Sequence, residues 1–333
     1  MSRKFFGLLL ATLLLTTVST TQAQQPAKVT LVGVLGSGTA ADPRNKTGLE
    51  TLREGLRDLG YVEGKNIAFE QRFAERNTDR LLGLANELVR LKVDIIFAID
   101  SNAARAAKEA TPTVPIVILT GGDPVRNKLV TSLARPGGNV TGLTTDSPRL
   151  ADKRLGLLKE SVPKLRRFAY LTSAGTGGGE NMGNIVKDAQ TTAKTLGVTF
   201  QAVEVKAPNP DFEALFQFMV KERIDGLVTE GPPIISSNRK KILQLAETHR
   251  LPAIHTEMEW ANDGGLMSYG AVRIEPYRRA AVFIDKILKG TKPDDLPVEQ
   301  PTKFEFVINL KTAKKLNLRI PQTVLFRADK VIK

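Results

Sequence analysis

The chain has 333 residues, a formal net charge of +13 and no cysteine. The absence of cysteine excludes disulfides, thiolate metal sites and a cysteine nucleophile, and the length is enough for a large core divided into two domains. Lysine and arginine are scattered along the whole sequence, without the interleaved aromatic residues that stack on bases. The charge therefore indicates a solvated basic surface, and no nucleic-acid partner is predicted.

The N-terminus has the pattern of an export signal. Arg3 and Lys4 precede an apolar run over residues 5–15, and the small residue Ala23 ends the polar stretch at the expected cleavage site. Because the apolar run is too short for a permanent membrane-spanning helix, we expect residues 1–23 to be a cleaved signal peptide rather than a retained anchor. No cysteine follows the signal, so no lipid anchor is expected, and the expected location is the periplasm.

The first part of the remaining chain alternates short apolar runs with amphipathic segments. Strands are predicted over residues 29–35, 67–72, 93–99, 114–120 and 140–143. Apolar residues spaced by three and four predict helices between them, as at Leu49, Leu52, Leu56 and Leu59.

The alternation restarts after a predicted helix over about 149–161. Further strands are predicted over residues 168–171, 199–204, 224–229, 253–256, 266–269 and 305–309. The predicted strands are apolar without alternation, which is typical of parallel sheets buried on both faces. The sequence therefore predicts an α/β chain with two doubly wound parallel-sheet lobes and a ligand cleft between them.

Small and polar residues follow the predicted strands, at the edge where open parallel sheets bind ligands. The candidate ligand-binding residues are Ser37, Gly38, Ser101, Asn102, Thr120, Gly122 and Asp123 in the first lobe, and Ser173, Glu230 and His255 in the second.

These candidates suggest a site for a small charged solute. Ser101 and Asn102 are expected to cap the helix that follows them, where free backbone N–H groups suit a carboxylate. Gly122 permits close backbone approach, and Asp123 and Glu230 are expected to neutralise an ammonium. Each residue also has a purely structural interpretation as a helix cap or a turn.

Enzyme signatures are weaker. Residues 36–41 fit G-x-G-x-x-A after a strand, but the acid expected at the end of the second strand is missing, and no G-x-S-x-G motif is present. No catalytic residue and no cofactor are predicted. An exported enzyme using the same cleft remains an alternative, with Asp123 and His255 as its titratable pair.

No metal site is predicted either. The two histidines, His249 and His255, are six residues apart and do not match H-E-x-x-H. A site built from His255, Glu257 and Glu259 is disfavoured on ligand spacing, and His255 also fits a packed ring in the core.

Several motifs resemble one family along essentially the whole exported chain. They are residues 60–66 (GYVEGKN), 121–125 (GGDPV), 135–142 (RPGGNVTG), 153–155 (KRL), 264–270 (GGLMSYG), 287–290 (ILKG) and 300–316 (QPTKFEFVINLKTAKKL). In these motifs the chain resembles the ABC-transporter substrate-binding proteins of the family that includes tryptophan- and phenylalanine-binding lipoproteins of Gram-positive bacteria.

The resemblance implies a type I periplasmic-binding fold, with two lobes that are joined by three crossovers and close on a ligand. We expect residues 24–146 and 271–333 to form lobe one and residues 147–270 to form lobe two. By the same resemblance, loops near Tyr269 join those of Ser173 and Glu230 in completing the cleft.

The implied function is capture of a small-molecule ligand for ABC permease subunits in the inner membrane, by a monomer. A ligand-sensing partner of a membrane receptor is a further alternative with the same cleft. The chain departs from the family pattern at residues 175–179 and 255–257. The resemblance therefore does not imply that the ligand of this chain is an aromatic amino acid.

Overall fold

Two separate β-sheets form the centres of two lobes. The computed structural model describes residues 29–145, 150–174, 179–206, 209–230, 233–272 and 274–333. The predicted signal peptide lies outside the described residues, as does most of the glycine-rich loop at 175–179. The predicted α/β class and its division into two lobes are confirmed.

Lobe one is built on a parallel five-stranded sheet in the order β2-β1-β3-β4-β5. Its strands are β1 (Thr30–Gly36), β2 (Ile67–Phe73), β3 (Ile95–Ala98), β4 (Ile116–Thr120) and β5 (Val140–Thr144). Its helices are α1 (Pro43–Asp58), α2 (Leu81–Arg90), α3 (Ser101–Ala110) and, from much later in the chain, α10 (Glu275–Leu288).

Helices cover both faces of the first sheet because its strands are apolar on both faces. Val34 and Phe97 belong to the core cluster that includes residues of α1 and α10. Leu35 and Ile96, one position along in each strand, pack with α2 and α3. Successive strand residues point to opposite faces, so an uninterrupted apolar strand requires cover on each side.

Lobe two is built on a seven-stranded sheet in the order β12-β11-β10-β9-β8-β6-β7. Its strands are β6 (Arg167–Ala174), β7 (Thr199–Lys206), β8 (Gly226–Thr229), β9 (Ala253–His255), β10 (Met267–Ala271), β11 (Phe304–Asn309) and β12 (Lys330–Ile332). Its helices are α4 (Leu150–Ser161), α5 (Gly179–Thr195), α6 (Phe212–Lys221), α7 (Pro233–Ser236), α8 (Arg239–Thr248), α9 (Met258–Asn262), α11 (Leu310–Lys315) and α12 (Gln322–Leu325).

The end of the chain corrects the predicted lobe boundary. The sequence placed all of 271–333 in lobe one, but from Phe304 onward the chain returns to the second sheet. There β11 pairs with β10 in the antiparallel direction, and Phe306 and Ile308 enter the core of lobe two. The segment 304–333 therefore belongs to lobe two, and the second sheet is mixed rather than wholly parallel.

Two of the crossovers between the lobes run side by side. The β10–β11 pairing continues past Ala271 into a hydrogen bond from Val272 N to Lys303 O of 3.2 Å. Toward lobe one, Glu299 N donates to Gly142 O at 2.9 Å, and the Glu299 carboxylate binds Arg279 of α10 with two bonds of 2.7 and 2.6 Å. These two crossovers are thus anchored at both of their ends.

Glycines allow α10 to pack closely against α1. A Cβ at Gly48 would lie 2.4 Å from the ring of Tyr277, and one at Gly55 would lie 2.9 Å from Ala281 Cβ. Tyr277 is 4% exposed and also meets Phe97 edge to face, with ring centroids 6.0 Å apart. The α1–α10 contact therefore fixes Tyr277 in the core of lobe one.

His255 lies in the core of lobe two. Its ring is fully buried, stacks on Trp260 with centroids 4.3 Å apart, and its Nδ1 is 2.8 Å from the Thr229 hydroxyl. Burial lowers the pKa of His255 from 6.5 to about 3, with a smaller contribution from the positive charge of Arg239. The ring is therefore neutral in the folded chain at physiological pH.

We predict that Gly48→Ala lowers the free energy of unfolding by about 1–3 kcal/mol, because the added methyl overlaps the buried ring of Tyr277. Gly83→Ala is the matched control: it also lies inside a helix, α2, and a Cβ there meets nothing within 4 Å. Helix propensity predicts that this control gains up to about 1 kcal/mol. Urea unfolding of both variants measures the difference, and equal stability of the two would contradict the close α1–α10 packing.

A second prediction concerns pH. Between about pH 6.5 and 3, the unfolded chain binds a proton on His255 that the folded chain does not. As the pH is lowered through this range, His255 therefore decreases the free energy of unfolding by roughly 1 kcal/mol per pH unit. His255→Phe keeps a ring against Trp260 and cannot titrate. We expect it to be less stable at pH 7, where Thr229 loses its partner, but to lose less stability between pH 6.5 and 4.

The control is His249→Asn, a change at the end of α8 that leaves His255 in place and should keep the original slope. Chemical denaturation at half-unit pH steps gives the three profiles. A slope for His255→Phe as steep as that of the unmodified chain would show that the buried ring does not cause the acid sensitivity.

Candidate functional site

A cavity of about 180 Å³ lies between the two lobes. It is lined by Gly38, Asp42, Arg44, Asn45, Ile99, Asp100, Leu119, Thr120, Gly121, Thr145, Glu257 and Tyr277. Glu257 alone among these comes from lobe two. The cavity opens at the carboxyl ends of β1, β3, β4 and β5, which is the edge where the sequence predicted a ligand cleft. Its volume restricts the occupant to a small solute.

Asp100 forms the floor of the cavity. Its Oδ1 accepts hydrogen bonds from the backbone N–H groups of Asn102 and Ala103 at 3.0 and 2.9 Å, so Asp100 is the N-cap of α3. Its Oδ2 accepts from Ser37 N at 2.7 Å and from Ser37 Oγ at 2.9 Å. The expectation that Ser101 and Asn102 cap α3 is wrong, because the carboxylate of Asp100 already occupies the helix start where a ligand carboxylate was expected.

The loop after β4 forms a second part of the floor. Thr120 is buried, and its carbonyl accepts from Thr145 N at 2.7 Å and Thr145 Oγ1 at 3.2 Å. Gly121 is exposed on the cavity side. Gly122 has φ of +137°, and its carbonyl accepts from Thr144 Oγ1 at 2.9 Å. Gly122 therefore turns the chain, while Gly38 and Thr120 are the predicted site residues that line the cavity.

Asp42 and Arg44 form a wall that sequence reasoning missed. Asp42 caps α1 by accepting from Arg44 N at 2.9 Å, and it binds the guanidinium through Nε at 3.1 Å and Nη2 at 2.8 Å. The remaining terminal nitrogen, Nη1, donates to Ser236 Oγ of α7 in lobe two. An Asp-Pro pair before an amphipathic helix is the signal that could have located this cap.

The electrostatics of Arg44 connect the two lobes. Burial opposes its charged form, but the hydrogen bond to Asp42 and the negative charges of Glu257 and Asp42 outweigh burial and raise the pKa of Arg44. The guanidinium therefore stays charged at the entrance between the lobes.

Among the described residues, Glu257 is the one that lobe two contributes to the cavity. It holds the N-cap position of α9, but its side chain makes no capping hydrogen bond. Its Oε2 is buried and has no hydrogen-bond partner among the described residues. The sequence selected His255 from this loop, whereas the structure buries that ring in the core and brings Glu257 to the cavity instead.

Asp123 is not among the residues that line the cavity, and it lies beside Arg126, which forms a second contact between the lobes. Its Oδ1 accepts from the backbone N–H of Val125 at 2.8 Å and of Arg126 at 3.2 Å, and its Oδ2 lies 3.7 Å from Arg126 Nε. The same guanidinium binds Asp188 of α5 at 2.8 Å. Because these groups already bind the Asp123 carboxylate, its surroundings do not favour the expected role of neutralising a ligand ammonium.

Glu230 is engaged inside lobe two. Its Oε1 accepts from Arg154 Nη1 at 2.7 Å and from the hydroxyl of Tyr170. Arg154 is 4% exposed, and its Nε donates to the Tyr269 carbonyl at 2.8 Å. Glu230 thus neutralises a buried arginine of its own lobe, which leaves it poorly suited to the predicted role of neutralising a ligand ammonium.

Ser173 and Tyr269 lie elsewhere in lobe two. Ser173 is buried near the end of β6. The Tyr269 ring stacks on Phe304 at 6.0 Å and meets Phe306 edge to face at 6.2 Å, and burial raises its pKa. Neither residue lines the 180 Å³ cavity in this arrangement of the lobes. Contact of these residues with a ligand stays a prediction.

Comparison with known proteins gives relatives along most of the chain. The family described as ABC transporter substrate binding protein matches residues 41–332. A tyrosine-binding protein of Clostridioides difficile is 28% identical over 264 residues, which cover 79% of this chain and 74% of that protein.

Solved structures share the two-lobed fold. A conserved domain protein of Vibrio cholerae has a TM-score of 0.82 and 27% identity, covering 91% of this chain and all of that one. An ABC domain from Streptococcus pneumoniae in complex with L-Trp has a TM-score of 0.81 and 24% identity, covering 92% and 100%. The expected fold of type I periplasmic-binding proteins is confirmed.

Substrate-binding proteins of ABC transporters work outside the cytoplasm with a small-molecule ligand and permease partners. In the part of the chain that the structure describes, no helix is both long and apolar enough to cross a membrane. Since the match extends over nearly all of the sequence, this chain belongs to the ABC transporter substrate-binding protein family.

Proposed function

We propose that this chain is the solute-binding subunit of an ABC importer and that it captures a small polar solute, an amino acid or a small carboxylate, by closing its two lobes. The observation that carries the proposal is the cavity between the lobes, with charged groups from both sides. Arg44 belongs to lobe one and Glu257 to lobe two, so the site is complete only when the lobes approach each other.

The relatives favour an amino acid as the solute. One is named as a tyrosine-binding protein, and another was solved in complex with L-Trp. We propose that this chain also binds an amino acid. We do not propose that its side chain is aromatic, because the loop at 255–257 differs from the pattern expected for aromatic ligands.

Two contacts between the lobes suit a closing motion. Arg44 donates to Ser236, and Arg126 binds Asp188 at 2.8 Å. The paired crossovers near Val272 provide a narrow hinge. A solute that contacts both lobes would favour this arrangement over an open one.

Binding without chemical conversion is the function that we propose for the cleft. The titratable pair available to an enzyme was Asp123 with His255, yet the ring of His255 is buried with a pKa of about 3, and Asp123 is engaged by Arg126. We further propose that residues 1–23 direct export to the periplasm and are removed, and that the monomer then delivers its solute to inner-membrane permease subunits.

The first test is a thermal-shift screen of the exported chain with the common L-amino acids and with small carboxylates. We expect at least one compound to raise the melting temperature by several degrees at 100-fold excess over its Kd, since selective binding of the native state then adds about 2.7 kcal/mol. A screen without any stabilising compound would contradict solute capture.

Gly121→Phe tests whether binding occurs in the cavity. Gly121 is exposed, and a Cβ there meets Thr145 Oγ1 at an ordinary 3.6 Å, so a large ring can enter the cavity without disturbing the fold. We expect this variant to lose the ligand-induced shift and Gly83→Phe, on the surface of α2, to keep it. Full binding by Gly121→Phe would place the ligand elsewhere.

A separate prediction concerns lobe closure. Arg126→Asp puts a third carboxylate beside Asp123 and Asp188, so we expect the unliganded chain to expand in solution scattering and to bind its ligand more weakly. The effect is modest, about two- to tenfold, because the Arg126–Asp188 pair is partly exposed. Restoring the opposite charge with Asp188→Arg in the same chain should recover both properties.

The control is Arg72→Asp, which removes an arginine paired with Glu70 and Glu87 within lobe one. It should change neither the radius of gyration nor the affinity. Similar effects of the two single variants would show that the Arg126–Asp188 pair has no part in closure.

A further inference from the structure

Among the described residues that line the cavity, four are charged, and they are not equally available to a ligand. Asp42, Asp100 and Glu257 are acidic and Arg44 is basic, so these four side chains together have an excess of two negative charges. Which of these groups a solute can use depends on the hydrogen bonds that each already makes within the protein.

Asp100 has no capacity left. A carboxylate offers about four acceptor positions. Asp100 already fills that number with bonds from Ser37 N, Ser37 Oγ, Asn102 N and Ala103 N. A ligand cation at this carboxylate would have to displace the cap of α3, which costs helix stability.

Asp42 is committed in a similar way. One of its oxygens caps α1 and also accepts from Arg44 Nε, and the other accepts from Arg44 Nη2. Its charge is therefore balanced by a bidentate arginine, which is the strongest form of such pairing.

Glu257 differs from both aspartates. Its Oε2 is buried and accepts no hydrogen bond from the described residues, and the carboxylate does not cap its own helix. Leaving a buried carboxylate oxygen without a donor is costly, so the position favours any occupant of the cavity that brings a positively charged donor. An ammonium provides three N–H donors and a compensating charge.

We propose that Glu257 binds the ammonium group of the solute and thereby makes this chain selective for amino acids over carboxylates without an amino group. The inference rests on the proposed function, because it requires that the interlobe cavity holds a solute. It assigns to lobe two the charge recognition that closes the site. Because Glu257 is the lining residue that lobe two contributes in the described part of the chain, ammonium binding there also joins the ligand to both lobes.

The predicted carboxylate site supports the same conclusion. The start of α3 was expected to receive a ligand carboxylate, but the side chain of Asp100 holds that place. A solute with only negative charge would therefore meet an acidic lining without its expected anchor. Arg44 has three of its five N–H groups engaged, and the other two remain for the carboxylate of a zwitterion.

The test compares matched pairs of probes by calorimetry on the exported chain. The pairs are L-tyrosine with 3-(4-hydroxyphenyl)propionate, L-tryptophan with indole-3-propionate, L-alanine with propionate, and L-glutamate with glutarate. In the unmodified chain we expect the amino acid of a binding pair to bind at least tenfold more tightly. Glu257→Gln should weaken that amino acid by about 10- to 100-fold and leave the deamino probe unchanged or tighter.

The control is Glu259→Gln, a substitution of the same kind in α9 at a residue that does not line the cavity. It should leave both probes of each pair unchanged. A melting curve of the unliganded Glu257→Gln chain checks that the variant folds, because the amide keeps the shape of the carboxylate and lacks its charge.

The outcomes separate this inference from the proposed function. Equal affinity for the two probes of a pair, or full amino-acid affinity in Glu257→Gln, overturns the role of Glu257 while solute capture stands. Binding only of carboxylates without an ammonium does the same. A chain that binds no compound in the probe set or in the wider screen overturns both.

Discussion

The carboxylate of Asp100 holds together the part of lobe one on which the cleft depends. It joins the loop after β1, through Ser37, to the start of α3, which follows β3. These strands are neighbours in the sheet, so one side chain fixes the spacing of two loops that end at the same edge. The negative charge also lies at the positive end of the α3 dipole, where it is stabilised without a ligand.

The charge of Asp100 on the cavity floor is already balanced by hydrogen bonds within the protein. Recognition of a charged solute therefore depends on the side chains of the cavity walls. Arg44 and Glu257 carry opposite charges and belong to opposite lobes, and the field of Glu257 contributes to the raised pKa of Arg44. Tyr277, which also lines the cavity, lies in the first turn of α10, the helix that follows directly after a crossover, and is held by its contact with Gly48. The crossover, the cavity-lining Tyr277 and part of the core of lobe one therefore belong to one continuous stretch of chain.

The sequence predicted the backbone better than the roles of its side chains. Apolar runs located the strands of lobe one to within about two residues, because every strand except the edge strand β2 is buried along most of its length. The same pattern does not encode strand direction, so the antiparallel β11 and the return of 304–333 to lobe two were missed. The cap of α3 was misassigned because three polar residues stand in a row, and only the extended backbone at Asp100 decides which one caps.

Two glutamates that follow neighbouring strands show why tertiary contacts had to decide the site. Glu230 follows β8, and Arg154, 76 residues earlier in the chain, binds it in the interior of lobe two. Removing one member of such a buried pair would leave the other charge buried without a partner, so Glu230 has a structural role. Glu257 follows β9, and no arginine in the described part of lobe two forms an ion pair with it; Arg44, whose pKa is raised in part by the charge of Glu257, lies across the cleft. Neighbouring strand ends of lobe two thus supply two acids of the same type, and the buried Arg154 engages Glu230, which leaves Glu257 for the solute.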